Sequence, residues 1–257
     1  MSKTKDKIMS GHSKWSTIRH KKALQDAKRA NIFTKLGRLI SVSAREGGGD
    51  IETNFKLKMA VEKARSFNMP KENIERAIKK GTGELNDGEK IEEIIYEAYY
   101  NLNGQQVALL IKTATDNRNR TVSEIRHYLE KNKAKLLAKG SLRFIFTLKG
   151  YLLINLKEQE KESEEIELLA IDYGAEEIKN DKKDKLIIVT KTADLPKVKE
   201  ALEKKGVKIT ETKLTFLPQQ TVNLKEEDYN QLVNFIEELE ANDDVQEVIT
   251  NVFRNNI

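Results

Sequence analysis

The first third of the chain has the hydrophobic spacing of α-helices. From Asn31 the apolar residues recur on one side of a helix, and the glycine run at 47–49 ends the pattern. A second side of the same helix is largely basic. Its residues are Lys35, Arg38, Val42 and Arg45. The pattern predicts an amphipathic helix with one buried side and one basic side.

Two shorter helices are predicted next, near Thr53–Phe67 and at Lys71–Lys80. Pro70 suits the first position of the third helix, because a backbone N–H at that position would have no partner within the helix. Gly81 is the predicted stop of this helix. The three helices predict a helical domain over residues 1–84.

From about Ile91 the hydrophobic period becomes that of β-strands. Two strands, Ile91–Tyr99 and Gln106–Thr113, flank a predicted turn. A helix at Asn119–Asn132 follows, and then a strand at Leu142–Leu148 that Lys149-Gly150 closes. This segment is the start of a first α/β domain.

Residues 151–217 repeat the mixed pattern in the order β-α-β-β-α-β, which is the order of a ferredoxin-like unit. We therefore predict a ferredoxin-like α/β domain over residues 150–217. Its elements are Tyr151–Leu156, Ser163–Tyr173, Ala175–Lys179, Lys185–Thr190, Leu195–Lys205 and Lys208–Leu217.

The tail contains one more helix, Lys225–Glu240, and one more strand, Val245–Val252. The segment 85–149 lacks one helix and one strand of the same pattern, and a lone helix and strand bury too little surface to be stable alone. We therefore expect the tail, 218–257, to complete that domain; the alternative is a separate appendage. The predicted fold class is α+β, a helical domain plus two ferredoxin-like α/β domains, one inserted into the other.

Charge is distributed unevenly along the 257 residues, whose formal net charge is +5. Residues 1–80 contain 20 lysines and arginines and 8 acidic residues, a net charge of +12, and residues 81–257 have a net charge of −7. Solubility does not require so large a local excess. We therefore expect the first third to bind a polyanion and the acidic remainder not to lie against nucleic acid.

The composition excludes several classes of site. The chain has no cysteine, so disulfides and thiolate metal sites are absent and a reducing cytoplasm is the expected location. The three histidines, at 12, 20 and 127, lack metal-ligand spacing, and we find no nucleophile motif or cofactor loop. No run approaches the ~20 apolar residues that span a bilayer. We expect a protein that is not an enzyme, with no cofactor, metal, small-molecule substrate or membrane partner.

The candidate nucleic-acid contacts are concentrated between Gly11 and Arg38. Arginine can hold a phosphate through two donors and lysine supplies a point charge. Trp15 can stack on an unpaired base, although it can equally anchor a small core. The candidates are Lys14, Trp15, Arg19, His20, Lys21, Lys22, Lys28, Arg29, Lys35 and Arg38.

Two further segments each have two interpretations. Residues 115–121 join a strand to a helix, and Arg118 and Arg120 flank the helix start, where backbone N–H groups favour anions. They form either a capped turn or a second contact for RNA or a protein. The glycine run 47–49 is either a link between helices or a phosphate-binding loop, and without a Lys-Ser/Thr sequence after it we favour the link.

Several motifs of the chain match the pattern of one protein family. They are Met9–Trp15, Gln25–Arg29, Ile32–Leu36, Gly47–Asp50, Asn68–Pro70, Asn73–Ile78, Thr115–Val122 and Gly140-Ser141. With these motifs the chain resembles the YebC (PmpR-type) family, which includes a mitochondrial translational activator of cytochrome c oxidase subunit I. Residues 1–8 precede the usual family start, and Lys133–Leu137 and Tyr100–Asn103 depart from the family pattern.

The resemblance implies three domains and a cytoplasmic, non-enzymatic protein whose basic amino-terminal residues contact nucleic acid. It favours a DNA-binding transcriptional regulator. The alternative is a translation factor that binds ribosomal RNA and helps stalled ribosomes. The absence of a clear helix-turn-helix, zinc-finger or zipper pattern favours RNA over DNA to a small degree.

Overall fold

The computed structural model describes residues 26–85, 90–181 and 184–253, which form two compact units. One unit is Phe146–Gln219, and the other consists of the described residues on both sides of it in sequence. The helices are α1 Asp26–Gly47, α2 Phe55–Ser66, α3 Lys71–Thr82, α4 Arg118–Lys131, α5 Ser163–Tyr173, α6 Leu195–Lys204 and α7 Glu226–Leu239. The strands are β1 Glu92–Leu102, β2 Gln105–Thr115, β3 Ala134–Leu136, β4 Phe146–Asn155, β5 Ala175–Asp181, β6 Lys185–Thr190, β7 Ile209–Pro218, β8 Val222–Asn223, β9 Val245–Thr250 and β10 Val252–Phe253.

Helix α1 is the centre of the helical region, and both α2 and α3 pack against it. The apolar side predicted from the sequence is the buried one. The turn that leads from α1 to α2 is held by Asn54. Its side chain donates to the carbonyl oxygens of Ser43 and Gly48, both at 2.8 Å, and caps α2 by accepting the N–H of Leu57 at 3.1 Å.

Helix α3 differs from the prediction at both ends. Pro70 precedes the helix as its N-cap, and the helix continues through Gly81 to Thr82, with Gly83 in the left-handed conformation as the C-cap. Gly81 therefore does not stop the helix. A Cβ at this position would overlap the Ser41 carbonyl oxygen and lie 2.9 Å from the Ala44 Cβ. The glycine allows α1 and α3 to approach closely.

The sheet of the larger unit has the strand order β3-β1-β2-β9. The hairpin β1–β2 turns at Asn103-Gly104, where both residues have positive φ as a two-residue type I′ turn requires. Helices α4 and α7 cover the same face of the sheet, and the Phe235 ring of α7 stacks on Tyr100 of β1 with 4.3 Å between centroids.

This sheet receives the carboxyl-terminal strand β9, which pairs antiparallel with β2. Its main sheet has four strands, covered by two helices, and β8 and β10 form a separate two-stranded sheet. The main-sheet strands and the helices follow the chain order β-β-α-β-α-β, and the two hairpin strands are central in the sheet. The ferredoxin-like order expected for this domain is therefore wrong, because a ferredoxin-like hairpin has one central and one edge strand.

The unit Phe146–Gln219 has the predicted order β-α-β-β-α-β and an antiparallel sheet in the order β5-β6-β4-β7. Strand β4 replaces the two strands predicted on either side of Gly150. A Cβ at Gly150 would lie 2.8 Å from the Leu195 Cβ, so this glycine marks a close approach of α6 to the strand.

The fold class is the predicted one, a helical region followed by two sheet-plus-helix domains. None of the helices in the described ranges is long and apolar enough to cross a membrane.

We predict that Gly81→Ala destabilises the protein by ~1–3 kcal/mol, because the new methyl group overpacks the contact between α1 and α3. Gly37→Ala is the matched control, since Gly37 also lies inside a helix and its Cβ would have one neighbour, Met69 Cε at 3.9 Å. This control should be stabilising by ~0.5–1 kcal/mol. Urea denaturation measures both, and equal effects of the two substitutions would contradict the packing argument.

Candidate nucleic-acid interface

Most of the predicted amino-terminal contacts fall outside the described residues. Lys28 and Arg29 lie in the first turns of α1 as the structure describes it. The others remain predictions from the sequence alone. They are Lys14, Trp15, Arg19, His20, Lys21 and Lys22.

The side of α1 predicted to be basic faces the sheet of the same unit. Val42 packs with Ile91 and Ala114 in a small apolar cluster. On either side of this cluster, Arg38 donates to the Ala114 carbonyl oxygen at 3.1 Å and Arg45 donates to the Ile91 carbonyl oxygen at 3.0 Å. This side of the helix is therefore a contact between the helical region and the first α/β domain.

The centre of the contact is Asp244, in the turn that leads from α7 to β9. Its side chain is 3% exposed and forms ion pairs with Arg38 and with Arg120, the latter at 2.9 Å. Its Oδ2 also accepts the hydroxyl groups of Thr115 at 3.1 Å and Thr121 at 2.6 Å. A buried carboxylate with two guanidinium partners and two hydroxyl donors is fully satisfied.

Lys35 is one turn before Arg38 and is buried, with 2% of the residue exposed. Its ammonium donates to the Glu240 carbonyl oxygen at the end of α7. Burial lowers the pKa of Lys35 from 10.5 to about 8, although Glu240 and Asp243 partly oppose this shift. Nearby, Asn31 donates to Asp243 at 2.6 Å. Asn31, Lys35 and Arg38, which follow one another along one side of α1, therefore all contact the tail.

Lys35 and Arg38 therefore have structural contacts within the protein, and the nucleic-acid role predicted for them stays a prediction. Both side chains are occupied by acceptors of the tail, about two hundred residues later in the chain. Local spacing cannot distinguish a basic side that meets phosphates from one that meets a distant carboxylate. The missed residue is Asp244, and its signal is the polar run Asn242-Asp243-Asp244 directly before an apolar strand.

The segment 115–121 is a capped turn in the structure. Asn117 caps α4 by accepting the backbone N–H of Arg120 at 3.1 Å, and the Arg120 guanidinium bridges Asp116, at 2.7 Å, and Asp244. Arg118 is exposed at the helix start. The capped-turn interpretation accounts for Arg120, and Arg118 remains a candidate contact.

The exposed surface of α3 carries charges of both signs. Lys71 pairs with Glu75 at 3.5 Å, and Arg76 and Lys79 are exposed on the same helix. Within the glycine run 47–49, a Cβ at Gly47 would lie 2.6 Å from Asn54 Nδ2 and one at Gly49 would lie 2.8 Å from Thr82 Cγ2, whereas a Cβ at Gly48 would have no neighbour within 4 Å. Within the described ranges, no three acidic or histidine side chains are grouped as metal ligands would be.

We predict that Asp244→Ala lowers the free energy of unfolding by ~3–5 kcal/mol, because it leaves two guanidinium groups without their buried partner. Asp116→Ala is the matched control. Its side chain is 23% exposed and pairs with the same Arg120, so its loss should cost ~0–1 kcal/mol. Chemical denaturation gives both values, and similar losses for the two variants would show that Asp244 is not the anchor.

We predict a second, pH-dependent effect at Lys35. Between pH 8 and pH 10.5 the unfolded chain holds the Lys35 proton, whereas the folded protein has released it, so raising the pH favours the folded state. The stability of the wild type relative to Lys35→Met should therefore rise across this window by up to ~3 kcal/mol. Urea denaturation at several pH values gives the free energy of unfolding of both proteins. If the difference between the two free energies stays constant from pH 7 to pH 10, the pKa of Lys35 is not lowered.

The chain is similar in sequence to two described domain families over most of its length. The profile described as "TACO1/YebC protein N-terminal domain" matches residues 13–84, and "TACO1/YebC second and third domain" matches residues 91–252.

Similar proteins carry the name probable transcriptional regulatory protein. One from Fervidobacterium nodosum is 51% identical over 243 residues, covering 95% of this chain and 93% of its own. Another, from Caldanaerobacter subterraneus, is 46% identical over 244 residues, covering 95% and 98%. The crystal structure of a conserved hypothetical protein from Aquifex aeolicus superposes with a TM-score of 0.79 at 45% identity, covering 93% of this chain and 96% of the other. The chain belongs to the TACO1/YebC family.

Proposed function

We propose that this protein is a cytoplasmic, non-enzymatic regulator of gene expression that binds nucleic acid through its amino-terminal basic segment. The observation that carries the proposal is the charge of Gly11–Phe33, which contains six lysines and arginines and one acidic residue. The contacts of Lys35 and Arg38 with the tail favour this segment over the rest of α1, because they hold two cations of the helix against the protein itself. The proposed contacts are Lys14, Trp15, Arg19, His20, Lys21, Lys22, Lys28 and Arg29.

The name shared by the relatives supports a DNA-binding transcriptional regulator as the first candidate. A basic segment of this kind binds a duplex mainly through phosphates, which gives affinity that is independent of sequence and sensitive to salt. Sequence preference would then require base contacts from elsewhere, and Arg118 at the start of α4 is a candidate for one.

The second candidate is a factor that binds ribosomal RNA and assists translation. The surface of α3 favours it, because acidic Glu72 and Glu75 alternate there with Lys71, Arg76 and Lys79. A recognition helix in a major groove approaches phosphates on both sides, so acidic groups on its exposed face are unfavourable. Structured RNA is bound by shape and phosphates and does not require such a helix.

We predict that reversing Lys21, Lys22, Lys28 and Arg29 to Glu abolishes polyanion binding while the protein stays folded. The matched control reverses Lys185, Lys191, Lys205 and Lys208, four exposed lysines of the other unit, and changes the net charge equally. Wild-type affinity should fall steeply with salt, because each neutralised phosphate of a DNA duplex contributes about 0.9 to the slope of log affinity against log salt. Fluorescence anisotropy with labelled nucleic acid measures the affinity and the salt slope.

Co-sedimentation with ribosomes separates the two candidates. Wild type that stays with ribosomes at moderate salt, while the amino-terminal variant is released, would support the translation factor. Ribosome-free wild type that occupies specific genomic sites would support the transcriptional regulator. If both quadruple variants lose binding equally, the effect is one of net charge and the proposed segment is wrong.

A further inference from the structure

We propose that the loop 137–145, together with the neighbouring edge strand β3, is a second nucleic-acid contact that takes an unpaired base on the ring of Phe144. The inference rests on the proposed function, since it names a further surface and a ligand class for the same nucleic-acid-binding protein. The amino-terminal segment is proposed from its charge to bind phosphates, and this second surface adds single-stranded nucleotides as a ligand class. It lies in the part of the chain whose net negative charge predicts no contact with nucleic acid.

The segment Lys131–Ile145 is positively charged, whereas the sequence around it is negatively charged. Residues 81–257 have a net charge of −7, yet no acidic residue occurs from Lys131 to Ile145. All five cations of the segment are exposed, so they face solvent rather than internal acids. They are Lys131, Lys133, Lys135, Lys139 and Arg143. A polyanion is the partner that such a local surplus complements.

Phe144 is the second observation, and it is independent of the charge. Phe144 is 65% exposed, more than any other large apolar residue in the described ranges. Arg143 lies over its ring, with the guanidinium carbon 5.8 Å from the ring centroid. An exposed aromatic ring beside cations is the arrangement on which single-stranded nucleic acids stack, because every base has a π-face and every nucleotide a phosphate.

The loop that carries Phe144 is held by Glu97 of β1, which is buried to 9% exposure. Its carboxylate accepts the backbone N–H groups of Gly140 and Leu142, both at 2.6 Å, and its carbonyl oxygen accepts the N–H of Leu137 at 2.7 Å. Leu142, at 1% exposure, anchors the loop in the protein. The Phe144 ring is therefore presented on a fixed support, which lowers the entropic cost of binding.

Strand β3 provides the adjoining charge. It is a three-residue edge strand, and its exposed Lys135 lies opposite Tyr99 of β1. Lysine on a short edge strand also protects the edge from pairing with another chain. That protective role accounts for Lys135 alone, and it leaves the exposed ring and the cations on the loop unexplained.

Single-stranded binding is tested with two substitutions at Phe144 and one control substitution at Leu168. Phe144→Leu keeps an apolar side chain without a π-face and should bind a short oligouridine roughly 5- to 140-fold more weakly than wild type. Phe144→Trp should retain or increase the affinity. Leu168→Ala, at a residue 63% exposed in the other unit, controls for loss of any exposed apolar side chain and should bind like wild type.

The choice of nucleic acid tests the ligand class. Wild type should prefer the oligouridine over an abasic strand of equal length, and the Phe144→Leu variant should lose this preference. Lys139→Gln and Arg143→Gln should each reduce the salt slope on the single strand by about 0.7. The same measurements on single-stranded DNA and on a duplex show whether the site distinguishes RNA from DNA or requires unpaired bases.

The outcomes separate this inference from the proposed function. If wild type binds none of the nucleic acids, both fail. If wild type binds but Phe144→Leu and wild type discriminate equally against the abasic strand, the stacking site is wrong and the amino-terminal proposal stands. Because Phe144 is exposed, unchanged thermal denaturation of the variants excludes a loss of fold as the cause.

Discussion

Asp244 is where three parts of the larger unit meet. Its carboxylate binds Arg38 of the helical region, Arg120 and the Thr121 hydroxyl of α4, and the Thr115 hydroxyl at the end of β2. Its own backbone carbonyl accepts the N–H of Ala114 at 2.8 Å. Each of these groups is polar, and each would be costly to bury without a partner. The orientation of α1 on the sheet therefore depends on Asp244, an acidic residue of the tail.

The same junction explains why the net charge of the helical region exceeds the charge that a ligand can meet there. Lys35, Arg38 and Arg45 all donate to the α/β domain, and Lys56 pairs with Glu46 at 2.8 Å on the helical surface itself. The net charge of residues 1–80 was the main reason to expect a polyanion there. Part of that charge serves the fold, and the proposed binding rests on the concentration of cations before Asn31.

Patterns that depend on neighbouring residues predicted the structure well, and patterns that depend on distant ones did not. Helix α5, with its glycine cap, and strand β6 have the predicted bounds, because period and turn residues fix them locally. The sequence predicts that Gly81 and Gly150 end secondary-structure elements, but both lie inside an element at a close contact with a neighbouring helix. A single sequence does not distinguish these two uses of glycine. The central place of the β1–β2 hairpin and the role of Asp244 likewise depend on partners far along the chain.

A consequence of the Asp244 junction concerns how two contacts would act together. Lys28 and Arg29 are on α1, Phe144 is on the loop held by Glu97, and both belong to the compact unit whose parts Asp244 joins. Two contacts on one folded unit are tethered to each other, so binding at one raises the effective concentration at the other for ligands that span the distance between them. A flexible single strand can adapt its path to such a spacing more readily than a stiff duplex can. The ion pairs of Asp244 therefore serve the proposed binding as well as the fold, because they join the helix that carries one contact to the domain that carries the other.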